Sequence, residues 1–256
     1  MERPKILVTN DDGYQSLGII QLATALTALG DVTVVAPDAD RSGVGHALSI
    51  AAPVRITSVG GRDVPTYRAG GTPADCVVIG AYDLCSGMPS LLVSGINRGA
   101  NLGDDVTYSG TVAAALEGTI IGIPSIAISL AASWPEHARD HHWETAIEVA
   151  LDLGRDVLTH GLPPLTLLNV NAPNRTAAEL KGRKWTRQGR KAYADRIDKR
   201  VDPRGGTYYW LWGTFDPAAI DDETDLAAVR DGYVSITPLT IDRTDHTALR
   251  GALERV

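Results

Sequence analysis

The feature that most constrains the fold is an alternation of strand-like and helix-like segments over residues 1–172. Lys5–Thr9 is typical of a short buried strand, and Val32–Ala36 is a continuous apolar strand. Between them, apolar residues recur at helical spacing from Ile19 to Leu29, and Gly30 ends the pattern. A strand, a helix and a second strand in this order predict a right-handed crossover and a parallel sheet. We therefore predict an α/β, doubly wound and mostly parallel sheet.

Similar patterns predict the other elements of this region. We expect a helix from Thr72-Pro73 to Ile79, a helix from Ser109 to Ile121 with Ser109 as its N-cap, and a long amphipathic helix from Trp143 to Leu158. We expect further strands at Leu91–Ser94, Ser125–Leu130 and Leu165–Val170, and a hairpin formed by Leu48–Val59 and Val64–Arg68 around Gly60-Gly61.

The composition changes after Pro173. The segment Lys181–Arg204 contains ten basic residues and three Asp, whereas Asp216–Asp231 contains six acidic residues and one Arg. Tyr208–Trp212 is an aromatic strand, and Gly232–Leu239 is typical of a final strand. We predict a single domain over residues 1–256, with a core of about residues 1–173 and a strand-rich C-terminal arm of about residues 174–256.

The charge and apolar content exclude several classes of protein. The formal net charge is −7, which disfavours polymeric nucleic acid as a partner because an acidic chain repels polyanions. The longest apolar stretch, Ile120–Ala132, is too short and too interrupted to span a bilayer, and the first residues lack the apolar region of a signal peptide. The two cysteines, Cys76 and Cys85, form no disulfide framework, so we expect reduced, buried thiols and a cytoplasmic protein.

Polar, glycine-flanked loops follow three of the predicted strands. These loops are Asn10–Gly13, Asp38–Gly43 and Ser94–Asp105. In an open parallel sheet, ligands bind at the carboxyl ends of the strands. If the three strands are parallel, the three loops lie along one edge of the sheet and can form one site.

The side chains of these loops favour a hard metal ion. Adjacent carboxylates such as Asp11 and Asp12 repel each other unless a cation neutralises them. Carboxylate, hydroxyl and amide oxygens suit magnesium or manganese. Asn10–Gly13 alone is equally typical of a turn, but the two further polar loops favour the metal. The helix start at Tyr108–Thr111 can bind phosphate or can simply be an N-cap, and it lacks the Lys of a Walker-type loop.

Seven segments carry a resemblance to a known family, and they cover almost the whole chain in order. The segments are Ile6–Gly13, Val35–Asp38 with Arg41–Gly43, Gly71–Val77, Ser94–Gly103, Tyr108–Ala114, Asn169–Pro173 and Gly232–Leu239. The chain resembles the SurE family of survival-protein nucleotidases.

This resemblance implies a Rossmann-like fold and a phosphomonoesterase that depends on one divalent metal ion, Mg or Mn, per subunit. It also implies a nucleoside monophosphate substrate with 5′-nucleotidase activity, and 3′-nucleotidase and exopolyphosphatase activity as further candidates. A homodimer or homotetramer that exchanges its C-terminal arm is implied as well. Carried over by position, the metal ligands are Asp11, Asp12, Ser42 and Asn97, and the phosphate site is lined by Asn101, Ser109, Gly110 and Thr111.

Some positions depart from the family pattern. Thr9, Ser16-Leu17-Gly18, Gly45 and His46 replace the residues expected there, and none of them is a proposed ligand. His46 can donate a proton to the leaving group or can have a plain role in its loop. The remaining candidates, His137, His141 and His142, lie in a charged stretch that is typical of a solvated surface.

The implied mechanism is hydrolysis by water that the metal activates. Asp11 and Asp12 are the catalytic pair, because they hold the metal and one of them can orient or deprotonate the water. Two alternatives stay open at this stage. One is an aspartyl-phosphate phosphatase with Asp11 or Asp12 as nucleophile, and the other is a nucleotide-binding module without catalysis.

Overall fold

A computed structural model describes residues 3–132, 141–190, 193–215 and 221–255. Its strands are β1 (Lys5–Thr9), β2 (Asp31–Pro37), β3 (Ile56–Ser58), β4 (Thr66–Ala69), β5 (Leu91–Arg98), β6 (Ser125–Ala131), β7 (Thr166–Pro173), β8 (Arg183–Trp185), β9 (Tyr193–Val201), β10 (Thr207–Phe215) and β11 (Val234–Thr240). Its α-helices are α1 (Leu17–Leu26), α2 (Pro73–Ile79), α3 (Gly110–Ile120), α4 (Trp143–His160), α5 (Asp225–Arg230) and α6 (His246–Leu253). A short 3₁₀ helix covers Gly103–Thr107.

A nine-stranded sheet with the order β3-β4-β2-β1-β5-β6-β7-β11-β8 organises the fold. The strands from β4 to β7 in this order are parallel to one another, and β11 is antiparallel to β7. Helices α1 and α4 pack on one face of the sheet, and α2 and α3 pack together on the other face. The prediction of an α/β doubly wound, mostly parallel sheet is confirmed.

Polar residues at the strand ends start three of the helices. The side chains of Ser16, Thr72 and Ser109 each accept a hydrogen bond from a backbone N–H in the first turn of α1, α2 and α3. Thr72 and Asp75 also form a reciprocal capping box. These caps direct each helix away from the carboxyl end of a strand, which leaves the loops at one edge of the sheet.

The predicted hairpin is shorter than expected. Strand β3 contains only three residues, and residues 48–55 form no regular strand. Pro53 has no N–H to donate to a ladder, and Ser49 bonds instead to the carboxylate of Asp75. Strand β5 is longer than expected and continues to Arg98, with a register shift against β6 between Ser94 and Asn97.

The C-terminal part of the chain contributes to two sheets. Strand β11 extends the central sheet beside β7, and β8 lies at its edge. The aromatic strand is β10, which pairs with β9 in a separate antiparallel hairpin. Helix α6 was not predicted. Its sequence is short and only mildly apolar, and the structure buries none of its residues.

The predicted state of the cysteines is confirmed, because Cys76 and Cys85 are free and buried. Burial raises the pKa of both thiols, so they are poor nucleophiles. In the described part of the chain, every helix is too short or too polar to cross a lipid bilayer.

Candidate functional site

Three neighbouring strands place the polar loops side by side. Strand β1 lies between β2 and β5, and all three run parallel. The chain leaves β1 toward β2 on one side and later adds β5 on the other, so the winding direction reverses beside β1. Ligands bind at such a reversal, outside the carboxyl ends of the strands. The backbone N–H of Arg41 in the second loop donates to the carbonyl of Asp11 in the first, at 2.8 Å.

Asp11 is buried against the start of helix α3. Its residue surface is 3% exposed. The Thr111 hydroxyl donates to Asp11 Oδ1 at 2.6 Å, and the Thr111 backbone N–H donates to Oδ2 at 3.1 Å. A Cβ at Gly110 would lie 2.8 Å from the Cβ of Asp11, so only glycine lets the helix approach this closely. The helix N-terminus therefore supplies the hydrogen bonds and the positive dipole end that a buried carboxylate requires.

The carboxylate of Asp11 nevertheless remains poorly stabilised. Burial is the main cause that raises its pKa to about 6, and the neighbouring charge of Asp12 raises it further. The hydrogen bonds from Thr111 act in the opposite direction and lower the pKa. Burial raises the pKa of Asp11 more than these bonds lower it, so the charged form of Asp11 is destabilised in the fold. A cation beside Asp11 would stabilise that charged form.

Asp12 lies under the third loop. The backbone N–H of Arg98 donates to Asp12 Oδ2 at 3.1 Å, and the Arg98 guanidinium lies 3.3 Å from Oδ1. The Asp12 side chain is 4% exposed, whereas that of Arg98 is 44% exposed. Burial raises the pKa of Asp12, and Arg98 partly counteracts this shift. Arg98 is therefore the counter-ion that the first loop has in this structure.

Ser42 and Asn97 bond within their own loops. The Ser42 hydroxyl donates to Asp40 Oδ1 at 2.6 Å, and the backbone N–H of Ser42 donates to the same atom at 2.8 Å. The Asn97 amide nitrogen donates to the carbonyl of Gly99 at 3.0 Å, which leaves the amide oxygen as the ligand-type atom of that side chain. The parallel arrangement of β1, β2 and β5 places both residues at the same sheet edge as Asp11, and their role as ligands stays a prediction.

The residues predicted to bind phosphate differ in which of their hydrogen-bonding groups are already bonded within the protein. Ser109 is the N-cap of α3 and accepts from the backbone of Val112 at 3.1 Å, as predicted. Gly110 follows at the helix start, but the N–H and hydroxyl of Thr111 are both engaged by Asp11. Asn101 is 7% exposed, and its amide nitrogen donates to Ser129 at 2.8 Å. Phosphate binding by these residues stays a prediction.

Two asparagines on β7 hold the backbone of Asn101. Asn171 accepts from its N–H at 2.8 Å, and both Asn171 and Asn169 donate to its carbonyl. Neither residue was predicted from the sequence to have a role, although two Asn residues inside a buried strand were a signal. A third buried amide, Asn10, donates to the carbonyl of Gly13 at 3.0 Å and so supports the first loop.

The histidines have the following positions. His46 Nε2 lies 2.7 Å from the buried Glu117 carboxylate, which gives His46 a structural partner; proton donation by His46 stays a prediction. His142 pairs with exposed Glu144 at 3.0 Å, and His141 stacks on Trp143. His137 lies outside the described residues.

The donor set fits a hard divalent ion. It offers two adjacent buried carboxylates that are short of positive charge, together with a hydroxyl and an amide oxygen. The described residues include no group of three or more His, Cys, Asp or Glu side chains able to hold a metal. The predicted ligands contain neither Cys nor His, so this set differs in kind from a structural zinc site.

Comparison with known proteins places the fold and the loops in one family. The family described as "Survival protein SurE" matches residues 6–195. The chain is 49% identical over 246 residues to a protein of Pelobacter propionicus named 5′-nucleotidase SurE, and the match covers 96% of each chain. It is 50% identical over 259 residues to 5′-nucleotidase SurE 1 of Thermus thermophilus, which covers 98% of this chain and 99% of the relative.

A solved structure agrees with these matches. The crystal structure of SurE protein from Aquifex aeolicus superposes with a TM-score of 0.83 at 44% sequence identity, and it covers 98% of this chain and 100% of the other. The identity extends over the whole fold that supports the three loops, including the central sheet and its C-terminal strands. The chain belongs to the SurE family.

Proposed function

We propose that this protein is a 5′-nucleotidase that hydrolyses nucleoside monophosphates to nucleoside and phosphate with the help of one divalent metal ion, Mg or Mn. The observation that carries the proposal is the pair of buried carboxylates, Asp11 and Asp12, set against the N-terminus of α3 at the reversal of the sheet. Relatives at 49% and 50% identity carry the name 5′-nucleotidase.

Each part of the site has a defined task in this proposal. Asp11, Asp12, Ser42 and Asn97 would hold the ion, which supplies neutralisation of phosphoryl charge and a lower pKa for a nearby water. The helix start at Ser109–Gly110 directs its dipole toward the phosphate oxygens. Arg98 is long and partly exposed, so it can turn from Asp12 to the phosphate once a cation neutralises Asp12.

The geometry argues against Asp11 as a covalent nucleophile. A nucleophile must present an oxygen to the phosphorus, but Asp11 is 3% exposed and Thr111 bonds to both of its oxygens. These bonds orient the carboxylate and leave further lone pairs for a cation. Asp12 is similarly placed, since its side chain is 4% exposed and Arg98 contacts both of its oxygens. The contacts therefore support attack by water rather than a phosphoenzyme.

We also propose an oligomer and a cytoplasmic location. The hairpin of β9 and β10 exposes large apolar side chains, including Trp210 at 59% and Leu211 at 81%. Apolar area of this kind, on a hairpin outside the central sheet, supports a homodimer or homotetramer formed through the C-terminal arm. The free, buried Cys76 and Cys85 suit a reducing compartment.

A phosphate-release assay over a substrate panel tests the proposed activity. The panel contains 5′- and 3′-nucleoside monophosphates, a sugar phosphate and tripolyphosphate, each with Mg²⁺ or Mn²⁺. We expect 5′-monophosphates among the best substrates and no trapped phosphoenzyme after acid quench. Absence of turnover with every nucleoside monophosphate would contradict the proposal, and a trapped aspartyl phosphate would contradict the mechanism.

A further inference from the structure

A buried carboxylate outside the site joins the C-terminal part of the chain to the third loop. Asp225, the first residue of α5, is 0% exposed. Its Oδ2 accepts from the backbone N–H of Gly103 at 2.8 Å. Its Oδ1 accepts from the backbone N–H groups of Gly189 and Leu226, both at 2.9 Å. One side chain thus connects three segments that are far apart in sequence.

Both backbone polar groups of Gly103 in the third loop, its N–H and its carbonyl, are hydrogen-bonded to side chains of the C-terminal part of the chain. Gln188 donates through Nε2 to the carbonyl of Gly103 at 2.8 Å, opposite the bond from Gly103 N–H to Asp225. Gly103 has a φ of +55°, and a Cβ there would lie 3.1 Å from Leu226 Cδ1 and 3.2 Å from Gly189 O. The close approach therefore depends on a glycine in a left-handed conformation.

Gly103 begins the short 3₁₀ helix that lies between Asn101 and the start of α3. It comes two residues after Asn101 and starts the 3₁₀ helix that ends immediately before Tyr108. The backbone N–H of Ser109 then donates to the carbonyl of Asp105 at 3.1 Å, which fixes the start of α3 to this short helix. Movement of Gly103 would therefore shift the N-cap of α3, whereas Asn101 is also held from β7 by Asn169 and Asn171.

We infer that Asp225 is a positioning residue for the phosphate-binding part of the site, acting through Gly103. This inference rests on the proposed function for its catalytic consequence. Asp225 makes no described contact with Asp11 or Asp12 and reaches the site only through the loop. A misplacement of reacting groups by about 1 Å can cost about 100-fold in rate. Loss of the hydrogen bond by which Asp225 holds Gly103 should therefore lower the rate.

The test variant is Asp225→Asn. An asparagine that keeps its oxygen at the position facing Gly189 and Leu226 presents its NH₂ group to the N–H of Gly103, so two donors meet. We expect kcat/KM for a nucleoside monophosphate to fall by about 10- to 100-fold at a temperature where the variant is folded. Amide hydrogen exchange across residues 99–108 should become faster.

A matched control separates positioning from general destabilisation. Thr224→Val removes the N-cap hydroxyl of α5, which accepts from Ala227 at 3.2 Å and donates to the Asp221 carbonyl at 2.6 Å. It changes no atom that bonds to Gly103. This variant should lower the melting temperature while kcat/KM stays within twofold of wild type and exchange of residues 99–108 stays unchanged. If Asp225→Asn does not fold, Gln188→Leu releases the Gly103 carbonyl from a side chain at the surface and should loosen the same segment.

The outcomes distinguish this inference from the proposed function. Unchanged hydrogen exchange across residues 99–108 in the variant that releases Gly103 would overturn the clamp, even if the wild type proves inactive on nucleotides. Full kcat/KM in Asp225→Asn, or an equal loss in Thr224→Val, would overturn its catalytic consequence. Absence of wild-type turnover combined with faster exchange would contradict only the proposed function.

Discussion

Asp11 and Asp12 are adjacent acids whose carboxyl groups are both buried in the fold. A helix N-terminus supports the first through Thr111, and the Arg98 guanidinium supports the second. Both carboxyls still have raised pKa values, because burial opposes their charge more strongly than these partners favour it. A site of this kind costs stability when it is empty and returns that stability when a divalent cation binds.

Metal-free stability should therefore fall with rising pH because of Asp11. The pKa of Asp11 is 3.8 when unperturbed and about 6 in the fold, so the folded state retains the proton longer. Its stabilising protonated form is fully present below pH 4 and is lost as the pH rises through about 6. Asp11→Asn should remove this dependence and gain about 3 kcal/mol over wild type at pH 7 without metal.

Denaturant melts of the metal-free protein from pH 4 to pH 7 check this expectation. Asp83→Asn, a surface substitution, serves as the control and should keep the pH dependence of the wild type. An Asp11→Asn curve parallel to that of the wild type would show that the Asp11 carboxyl is not the titrating group.

Asp12→Asn should nearly abolish turnover while the fold persists. Loss of the carboxylate weakens the cation site and removes a candidate base, which is worth about 100- to 10,000-fold in rate. Without metal the variant should melt at or slightly above wild type, because the substitution relieves repulsion from Asp11. With metal, the wild type should gain melting temperature and the variant much less.

Paired melting curves beside a phosphate-release assay measure these effects. If Asp12 only stabilises a turn, asparagine would replace it well, since both residues favour turns. An active variant with an unchanged metal-induced shift would remove Asp12 from the site, and a variant that is unfolded without metal would indicate a structural role.

At the scale of elements, the close packing of α3 against Asp11 depends on the lack of a side chain at Gly110. A methyl group there would lie 2.8 Å from Asp11 Cβ and 2.9 Å from Oδ2, so the helix must shift. Gly110→Ala should destabilise the protein by about 1–3 kcal/mol and lower kcat/KM at least tenfold, because the Thr111 bonds to Asp11 lengthen. Unfolding free energies and initial rates measure the two effects.

Gly251 in α6 provides a matched control. Nothing lies within 4 Å of the position that its Cβ would occupy, so alanine fits there and favours the helix by up to about 1 kcal/mol. Gly251→Ala should keep full activity and equal or higher stability. Wild-type activity in Gly110→Ala would show that the contact between α3 and Asp11 has no catalytic role.

The elements that the sequence predicted well have strong local signals. Helix α3 has a Ser N-cap, and β1 and β2 are short buried strands followed by polar loops, so their boundaries lie within a few residues of those expected. Residues 48–55 alternate like a strand but lack a partner, because the side chain of Asp75 takes the bonds of Ser49. Such a competition depends on a contact between residues far apart in sequence.

The support behind the site was beyond sequence reasoning for the same reason. Asn169 and Asn171 act on Asn101 from positions 68 and 70 residues further along the chain. The sequence indicated Arg98 only as part of the segment Ser94–Gly103. Its contact with Asp12 requires that β5 lie beside β1. The first-loop carboxylates were predictable, because two adjacent acids directly after a buried strand repel each other unless a cation lies beside them.

For the whole molecule, the charged C-terminal segment pairs partly within the chain. Arg187 lies 3.4 Å from Asp221, and Arg190 lies 3.1 Å from Asp104 of the third loop. All four side chains are exposed, so each pair contributes little to stability. The apolar hairpin is the stronger reason to expect association between subunits.

Leu211→Glu should weaken the oligomer without unfolding the subunit. Leu211 is 81% exposed and lies on the hairpin outside the central sheet, so a charge there disrupts an apolar interface but no described core contact. Thr207→Glu introduces the same charge at an exposed position of the same strand and serves as the control. Sedimentation velocity should show smaller species for Leu211→Glu only, and an unchanged distribution would exclude this surface from the interface.

The most direct test of the central claim is removal and restoration of the metal. Protein stripped with a chelator is assayed for phosphate release from a nucleoside monophosphate before and after addition of Mg²⁺ or Mn²⁺. We predict that turnover is lost on stripping and restored by added ion, with about one ion bound per subunit at saturation, because one pair of buried carboxylates defines one site. Undiminished turnover in the fully stripped protein would contradict the account.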